Sequence, residues 1–238
     1  MSRLLDVGDV CAGYGLTPVL RDLSMHVDAG EVVAVVGANG AGKSTLLRAI
    51  TGLLPVSSGE ITFAGERISG SSPHAIVERG IALVPEGGRL FPFMTVLENL
   101  ELGAFNGRSR KDMAENLAEV MTLFPILRER QGQAAGSLSG GERQMCAIAR
   151  ALMSIPRMLM LDEPSLGLSP AMLERVFDLV RTVAASHRLT VLVVEQNVAD
   201  ALDMADRAYV IEHGVLVKSA PGRELLGDPD IQRAYLGI

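Results

Sequence analysis

The fold of this chain follows from one segment, Gly37-Ala38-Asn39-Gly40-Ala41-Gly42-Lys43-Ser44-Thr45. The segment fits G-x-x-x-x-G-K-[ST], a glycine-rich loop that cradles phosphate groups. An apolar, β-branched run at residues 32–36 precedes it and predicts a buried parallel strand. Residues 46–50 are typical of a helix, which Gly52 and Pro55 would end. Strand, loop and helix stand in the order that the motif requires, so we predict a site for a nucleoside triphosphate.

The glycines, the lysine and the serine of this loop contribute differently to phosphate binding. Its glycines allow a tight turn in which successive N–H groups converge on phosphate oxygens, and the following helix adds its positive end. We expect Lys43 to reach the β- and γ-phosphates and the Ser44 hydroxyl to ligate Mg²⁺. A glycine-rich turn that binds nothing is the alternative, and the strand, lysine and serine argue against it. The motif is shared by kinases, GTPases and ATPases.

Bulk composition limits the class of protein. The 238 residues are 48% hydrophobic and 21% charged, which suits a soluble globular chain with a real core. The net charge of −6 argues against a nucleic-acid partner, because such proteins usually carry a basic surplus. Two cysteines, Cys11 and Cys146, indicate no disulfide framework. We expect neither a signal peptide nor a transmembrane segment, so another chain would have to cross any membrane.

The pattern of apolar residues predicts three regions. Residues 20–27 alternate apolar and polar side chains, as in a half-buried antiparallel strand. Continuous apolar runs at 158–161 and 191–194 predict buried strands, with an amphipathic helix over 171–185 between them. Helical segments dominate residues 86–153, so we interpret this region as a helical insert between strands of the core.

Two carboxylates follow the apolar run at 158–161. In a P-loop protein, Asp162 at the end of such a strand would hold Mg²⁺. Glu163 would polarise a water molecule for attack on the γ-phosphate. An Asp-Glu pair can also be an ordinary junction between a strand and a turn, and the P-loop upstream makes the catalytic interpretation the better one.

A second glycine motif, Leu138-Ser139-Gly140-Gly141-Glu142-Arg143-Gln144, begins the predicted helix at 140–153. A serine hydroxyl and N–H groups at a helix start form an anion-binding nest. The chain already has its own phosphate site, so this second nest is best explained if it serves the nucleotide of a neighbouring subunit. Helix capping by Ser139 is the plainer interpretation, and both can hold.

The three motifs, in this order and spacing, resemble the ATP-binding subunits of ABC transporters along essentially the whole chain. The resemblance implies an α/β P-loop NTPase with a RecA-like core, an antiparallel β subdomain and an inserted α-helical subdomain. The chain would be one domain, 1–238, with core and β subdomain at 1–85 and 154–238 and the helical subdomain at 86–153.

The resemblance also implies a head-to-tail dimer that sandwiches ATP. The P-loop of one subunit and Ser139 and Gly141 of the other would enclose the nucleotide, with Glu163, Lys43 and Gln196 as further catalytic residues. Tyr14, expected in a turn over 11–15, would stack on adenine, with Val19 beside it. The loop at 165–168 would cross between the subunits.

Two departures from the common pattern narrow the subtype. Glu86 occupies a position where most members have Gln, and Gln196 one where most have His. Both resemble one of the two ATP-binding subunits of the high-affinity branched-chain amino acid transporter. Glu86 could ligate Mg²⁺ or hold the attacking water but adds negative charge, and Gln196 could donate to the γ-phosphate without a positive charge. We expect modest, regulated turnover.

The resemblance implies several partners. These are transmembrane permease subunits, a second related ATP-binding subunit (a heterodimer is favoured over a homodimer) and, indirectly, an external solute-binding protein. The chain would sit at the cytoplasmic face of a bacterial plasma membrane. Residues 89–94 could line a groove for a permease helix or pack internally.

Other functions remain as alternatives. Within transporters, the cargo could be urea or a lipid. A soluble ABC-type ATPase of DNA repair or ribosomes is less consistent, because the sequence has neither a long coiled-coil insert nor a second cassette. A subunit that binds ATP without hydrolysing it is disfavoured by Glu163.

Overall fold

Two β-sheets and the helices around them make up residues 2–236, the part that this computed structural model describes. The strands are β1 (Arg3–Tyr14), β2 (Thr17–Asp28), β3 (Val32–Val36), β4 (Val56–Phe63), β5 (Glu66–Arg67), β6 (Ile81–Val84), β7 (Met158–Asp162), β8 (Thr190–Glu195), β9 (Arg207–Glu212) and β10 (Val215–Pro221). The helices are α1 (Lys43–Ile50), α2 (Pro73–Glu78), α3 (Val96–Gly103), α4 (Gly107–Lys111), α5 (Met113–Leu123), α6 (Pro125–Glu129), α7 (Gly140–Leu152), α8 (Pro170–His187), α9 (Val198–Met204), α10 (Gly222–Leu226) and α11 (Pro229–Ile231). A 3-10 turn covers Ala135–Ser137 and a π-helical turn covers Gln232–Leu236.

The larger sheet has the strand order β10-β9-β3-β8-β7-β6, and its strands from β9 to β6 pair in parallel. β3, β7 and β8 are buried along their whole length, which confirms the interpretation of the continuous apolar runs. Burial on both faces is usual for parallel strands, because crossover helices cover each side. Ala34 and Val36 face a core formed largely by α3, α7, α8 and α9.

The smaller sheet is antiparallel, in the order β2-β1-β4-β5. It packs with α1 on the opposite face of the larger sheet, where Val33 and Val35 of β3 belong to the same core as Leu5, Leu20 and other apolar side chains of β1 and β2. The predicted turn over 11–15 is wrong in part. β1 continues to Tyr14, which pairs with Thr17, because hydrogen bonding to β2 extends the strand up to the tight turn.

A cluster of polar side chains joins the two sheets. Arg207 of β9 donates to Glu31 and to the carbonyl of His26 on β2, and Tyr209 donates to that same carbonyl at 3.1 Å. These bonds satisfy polar groups that are mostly shielded from water, so they fix the angle of one sheet on the other.

Helices α3 to α7 lie between β6 and β7, which are neighbours in the sheet. The chain therefore leaves the larger sheet after Val84 and returns to it at Met158, while α3 and α7 pack on the same core as β3. The limits at 86 and 153 stay a prediction. Pro125 lies between α5 and α6 and begins α6, where a missing N–H has no cost. Within residues 2–236 no helix is long and apolar enough to cross a membrane.

Candidate nucleotide-binding site

Most of the residues predicted to bind and hydrolyse the nucleotide lie at or beyond the carboxyl ends of four neighbouring strands. The P-loop follows β3, Asp162 ends β7, Gln196 follows β8, and Glu86 follows β6. Ligands of open α/β sheets bind at this edge, because loops from separate strands converge there. Parallel pairing therefore gathers residues that are far apart in sequence.

Close packing explains two of the P-loop glycines. A Cβ at Gly37 would lie only 2.3 Å from the carbonyl oxygen of Ile211 on β9. Gly42 has φ +114°, a conformation that other residues rarely adopt, and it precedes the first residue of α1. A side chain at either position would displace the loop from the sheet.

Lys43 is buried, with 4% of its surface exposed. Its ammonium donates to the carbonyl oxygens of Gly37 (2.9 Å) and Ala38 (3.1 Å). It also forms an ion pair with Glu163, with 3.3 Å between Nζ and Oε1. The three donors of the ammonium are therefore held by the loop and by the predicted catalytic base.

Ser44 and Asp162 are joined by a hydrogen bond of 2.9 Å from Oγ to Oδ1. Burial is the main cause that raises the pKa of Asp162, and the charges of Glu163 and Glu86 add to it, whereas the Ser44 bond opposes it. A divalent cation would relieve this accumulation of negative charge. Oxygen ligands of this kind suit Mg²⁺, which typically takes one or two protein oxygens and completes its shell with phosphates and water. Within residues 2–236 no group of three or more His, Cys, Asp or Glu side chains could hold a metal.

Glu163 has a strained backbone, with φ +47°. Its N–H donates to the carbonyl of Val194 on β8 at 2.9 Å, which holds the turn after β7. Such left-handed conformations are uncommon for residues with a Cβ and persist where the surroundings enforce them, often at functional sites. Asp162 and Glu163 are adjacent in sequence but have different partners. Asp162 accepts a hydrogen bond from Ser44, and Glu163 pairs with Lys43.

Gln196 and Glu86 are both exposed at this edge. Gln196 and Glu163 line one cavity of about 310 Å³, together with residues 165–167 and Asn197. Glu86 lies near enough to Asp162 for its charge to affect the pKa of that carboxyl. The geometry thus places both unusual residues within the same site as the P-loop.

The structure adds a residue that sequence reasoning missed. Glu195, the last residue of β8, is fully buried and accepts hydrogen bonds from Ser165, Gln196 and Asn197. The only feature of the sequence that points to Glu195 is a charged residue directly after the apolar run 191–194.

Ser139 caps α7. Its hydroxyl accepts from the Glu142 N–H (3.4 Å), and the Glu142 carboxylate accepts from the Ser139 N–H (2.8 Å) and pairs with Arg130 (3.0 Å). Ser139 is exposed, whereas Gly141 is buried against Met172 of α8. No hydrogen bond or ion pair in the described part of the chain joins Ser139 or Gly141 to the P-loop. Within the second glycine motif, Ser139 is therefore presented to solvent, whereas Gly141 is not.

Tyr14 lies beside the helix that follows the P-loop. Arg48 of α1 donates to the Tyr14 hydroxyl at 2.7 Å, and Tyr14 as a whole residue remains 45% exposed. Val19 is half-buried. Its backbone packs so closely on Gly214 that a Cβ at position 214 would clash with the Val19 carbonyl. An exposed aromatic residue is thus available beside α1, the helix that follows the P-loop.

Comparison with known proteins gives consistent results. The family model described as ABC transporter matches residues 20–166. The chain is 45% identical to the high-affinity branched-chain amino acid transport ATP-binding protein BraG of Pseudomonas aeruginosa, over 98% of this chain and 100% of BraG. It is 38% identical to the probable branched-chain amino acid transport ATP-binding protein LivF of Archaeoglobus fulgidus, over 95% and 96% of the two chains. The lipopolysaccharide export system ATP-binding protein LptB of Escherichia coli is 35% identical, over 98% and 97%.

Solved structures show the same architecture. A nucleotide-free ATP-binding cassette from an ABC transporter superposes with a TM-score of 0.87 at 28% identity, covering 100% of both chains. A dimeric cassette in a post-hydrolysis state, bound to ADP and Pi, superposes with a TM-score of 0.79 at 25% identity, covering 92% of this chain and 99% of that one.

Proposed function

Because this chain belongs to the ABC transporter family as one of its ATPases, we propose that it powers a membrane importer of branched-chain amino acids. The observation that supports this cargo is the 45% identity to BraG over the full length of BraG. LptB, at 35% identity, makes a lipid cargo the second candidate. No cargo-binding feature is needed in this chain, because the cargo passes through the permease.

The site geometry supports a role for each residue. ATP phosphates would lie on the P-loop N–H groups and Lys43, and Tyr14, with Val19 beside it, would hold the adenine. Ser44, Asp162 and Glu86 would hold Mg²⁺, which neutralises charge on the β- and γ-phosphates when bound. Glu163 would orient the attacking water and accept its proton, while Gln196 would donate a hydrogen bond to the γ-phosphate.

The ion pair between Lys43 and Glu163 suggests how binding prepares the catalytic base. Phosphate oxygens compete with the Gly37 and Ala38 carbonyls and with Glu163 for the Lys43 ammonium, and a charged acceptor makes the stronger hydrogen bonds. Transfer of Lys43 to the phosphates would leave the Glu163 carboxylate free to act on water. ATP would therefore activate the base that hydrolyses it.

The outward position of Ser139 supports a paired arrangement. The serine hydroxyl and the N-terminal N–H groups of α7 would contact ATP on the P-loop of a second, related ATP-binding subunit. Nucleotide would then close the dimer, and hydrolysis would reopen it. This cycle would move the permease between its two access states.

An exposed aromatic surface supports permease contact. Phe91, Leu102 and Phe105 line a groove of about 230 Å³ with residues of α7 and β6, and Phe93 next to it is 98% exposed. Internal packing does not account for Phe93. Exposed apolar surface of this kind marks interaction sites, and an amphipathic helix of the permease would fill the groove. The chain would then lie on the cytoplasmic face of the membrane.

The test is uptake of labelled leucine, compared with urea, in cells that lack the gene and are complemented with wild type or Glu163→Gln. Leucine uptake restored by wild type alone supports the proposal. Normal leucine uptake in the deletion, with a defect in lipid export, would favour the second candidate.

A further inference from the structure

Glu195 is a buried carboxylate without a positive partner. None of its surface is exposed, and no salt bridge in the described part of the chain reaches it. Burial raises its pKa, although hydrogen bonds oppose the effect. A buried charge is costly unless several donors stabilise it, so its presence at the end of the central strand β8 requires a reason.

Its hydrogen bonds connect two separate loops. Oε1 accepts from the Ser165 N–H at 2.8 Å, and Oε2 accepts from the Ser165 hydroxyl at 2.7 Å. Oε2 also accepts from the N–H groups of Gln196 (3.1 Å) and Asn197 (3.4 Å). One carboxylate therefore ties the loop after β7 to the loop after β8.

Both loops belong to the catalytic cavity. Ser165 follows Glu163 by two residues, and it lines the same cavity as Glu163 and Gln196. A Cβ placed at Gly140, beside the outward-facing Ser139, would lie 3.7 Å from the Gly167 carbonyl of the first loop. Residues 165–167 thus lie beside Glu163 and Gln196 and close to the α7 N-terminus.

We propose that Glu195 is a positioning residue for ATP hydrolysis, which holds Ser165 and Gln196 in fixed positions around Glu163. The proposal rests on the proposed ATPase site. Because Glu195 has no exposed surface, it acts through the two loops that it joins.

Only a carboxylate satisfies all four donors. A glutamine has one oxygen and one NH₂ group. If its oxygen took the place of Oε2, the NH₂ group would face the Ser165 N–H. If its oxygen took the place of Oε1, the NH₂ group would face the Gln196 and Asn197 N–H groups. Either arrangement leaves a partly buried donor facing an NH₂ group instead of an acceptor, so we expect one loop to move.

The experiment compares Glu195→Gln with wild type and with Thr190→Val in the purified full chain. Thr190 starts the same strand, is buried, and accepts from the Gly30 N–H at 2.9 Å, so Thr190→Val also leaves one N–H unpaired. We expect kcat to fall roughly tenfold in Glu195→Gln with KM for ATP within about twofold, and kcat to be unchanged in Thr190→Val. Ser165→Ala should lower kcat less, and its effect should not add to that of Glu195→Gln.

Hydrogen exchange supplies a readout that needs no turnover. The Ser165, Gln196 and Asn197 amides should lose protection in Glu195→Gln but keep it in Thr190→Val. Unchanged kcat or unchanged protection in Glu195→Gln would overturn the proposal, as would equal loss of kcat in both variants. Glu163→Gln in the same assay distinguishes failure of the catalytic site from failure of the positioning role. If Glu163→Gln hydrolyses ATP like wild type, the proposed catalytic site is wrong. If Glu163→Gln is inactive while Glu195→Gln is normal, only the positioning role is wrong.

Discussion

Lys43 and Glu163, separated by 120 positions in the sequence, meet as an ion pair of 3.3 Å between Nζ and Oε1. The side chains are 3% and 15% exposed, so water screens the pair weakly. Phosphate binding and water activation are therefore joined by a single contact. Removing the Glu163 charge should leave phosphate binding intact and stop the activation of water.

Glu163→Gln should bind ATP but lose hydrolysis by at least about 100-fold, because an amide cannot accept the proton of the attacking water. The protein should then accumulate as an ATP-bound dimer on size-exclusion chromatography. Glu66→Gln, an exposed acid on β5, is the control and should behave as wild type. Equal hydrolysis by both variants would contradict the assignment of the base, and failure of both wild type and Glu163→Gln to dimerise with ATP would indicate a requirement for a different partner subunit.

Glu86→Gln and Gln196→His should each raise turnover severalfold. The first removes a negative charge that lies close enough to Asp162 to raise the pKa of that carboxyl, while its amide oxygen can still ligate Mg²⁺. The second adds a group that can carry positive charge near the proposed position of the γ-phosphate. ATPase rates at saturating Mg²⁺ measure the effect. If neither rate changes, these two positions do not tune the chemistry.

Ser139→Ala should lower both stability and activity. Loss of the cap on α7 should cost about 1 kcal/mol of unfolding free energy, and loss of the hydroxyl should reduce ATP-dependent dimerisation. Ser72→Ala is a matched control, because Ser72 caps α2 with a comparable bond to the Ala75 N–H. That variant should lose similar stability with normal dimerisation and ATPase rate. If Ser72→Ala lost dimerisation and ATPase activity to the same extent as Ser139→Ala, Ser139 would act only as a helix cap.

Glu31 and Arg207 should make stability sensitive to acid. Burial tends to raise the pKa of Glu31, but hydrogen bonds from Arg207 and the Asp28 N–H outweigh it and hold the pKa below 4.5. A group with a lowered folded pKa contributes stability above its unfolded pKa, and this contribution is lost as pH falls through the folded value. Arg207→Met should therefore cost about 2 kcal/mol at pH 7 and much less once the pH has fallen below the folded pKa of Glu31.

Urea unfolding of wild type and Arg207→Met across this pH range measures the difference. Arg181→Met is the control, because its ion pairs with Asp178 and Asp203 are more exposed and should contribute little. A cost for Arg207→Met that does not change with pH would show that packing, rather than the Glu31 charge, is responsible.

Phe93→Ser should leave folding and basal ATPase unchanged, because the side chain is 98% exposed. It should weaken co-purification with the permease and reduce leucine uptake, since an apolar contact would be lost. Val217→Ser, an exposed apolar residue on β10, is the control. Normal co-purification and uptake in Phe93→Ser would place the permease contact elsewhere.

Local sequence was sufficient for the elements whose chemistry lies within a few neighbouring residues. The P-loop needs glycines at fixed spacing, α7 needs Ser139 and Glu142 three residues apart, and buried parallel strands need unbroken apolar runs such as 32–36. Short elements with weaker signals were missed. α2 and α9 are stabilised mainly by apolar side chains packed against the sheet, such as Ile76 and Val198, rather than by a long periodic pattern.

Only the tertiary structure decided which distant residues share the site. Parallel pairing of β3, β8, β7 and β6 aligns the strand ends, so Lys43 reaches Glu163 and Glu195 reaches Ser165. The same pairing buries Glu195, whose charge is stabilised by N–H groups that a sequence does not assign to any partner. A motif specifies the groups that one segment offers, whereas burial and strand order determine the groups that they meet, because these depend on how the whole apolar core packs.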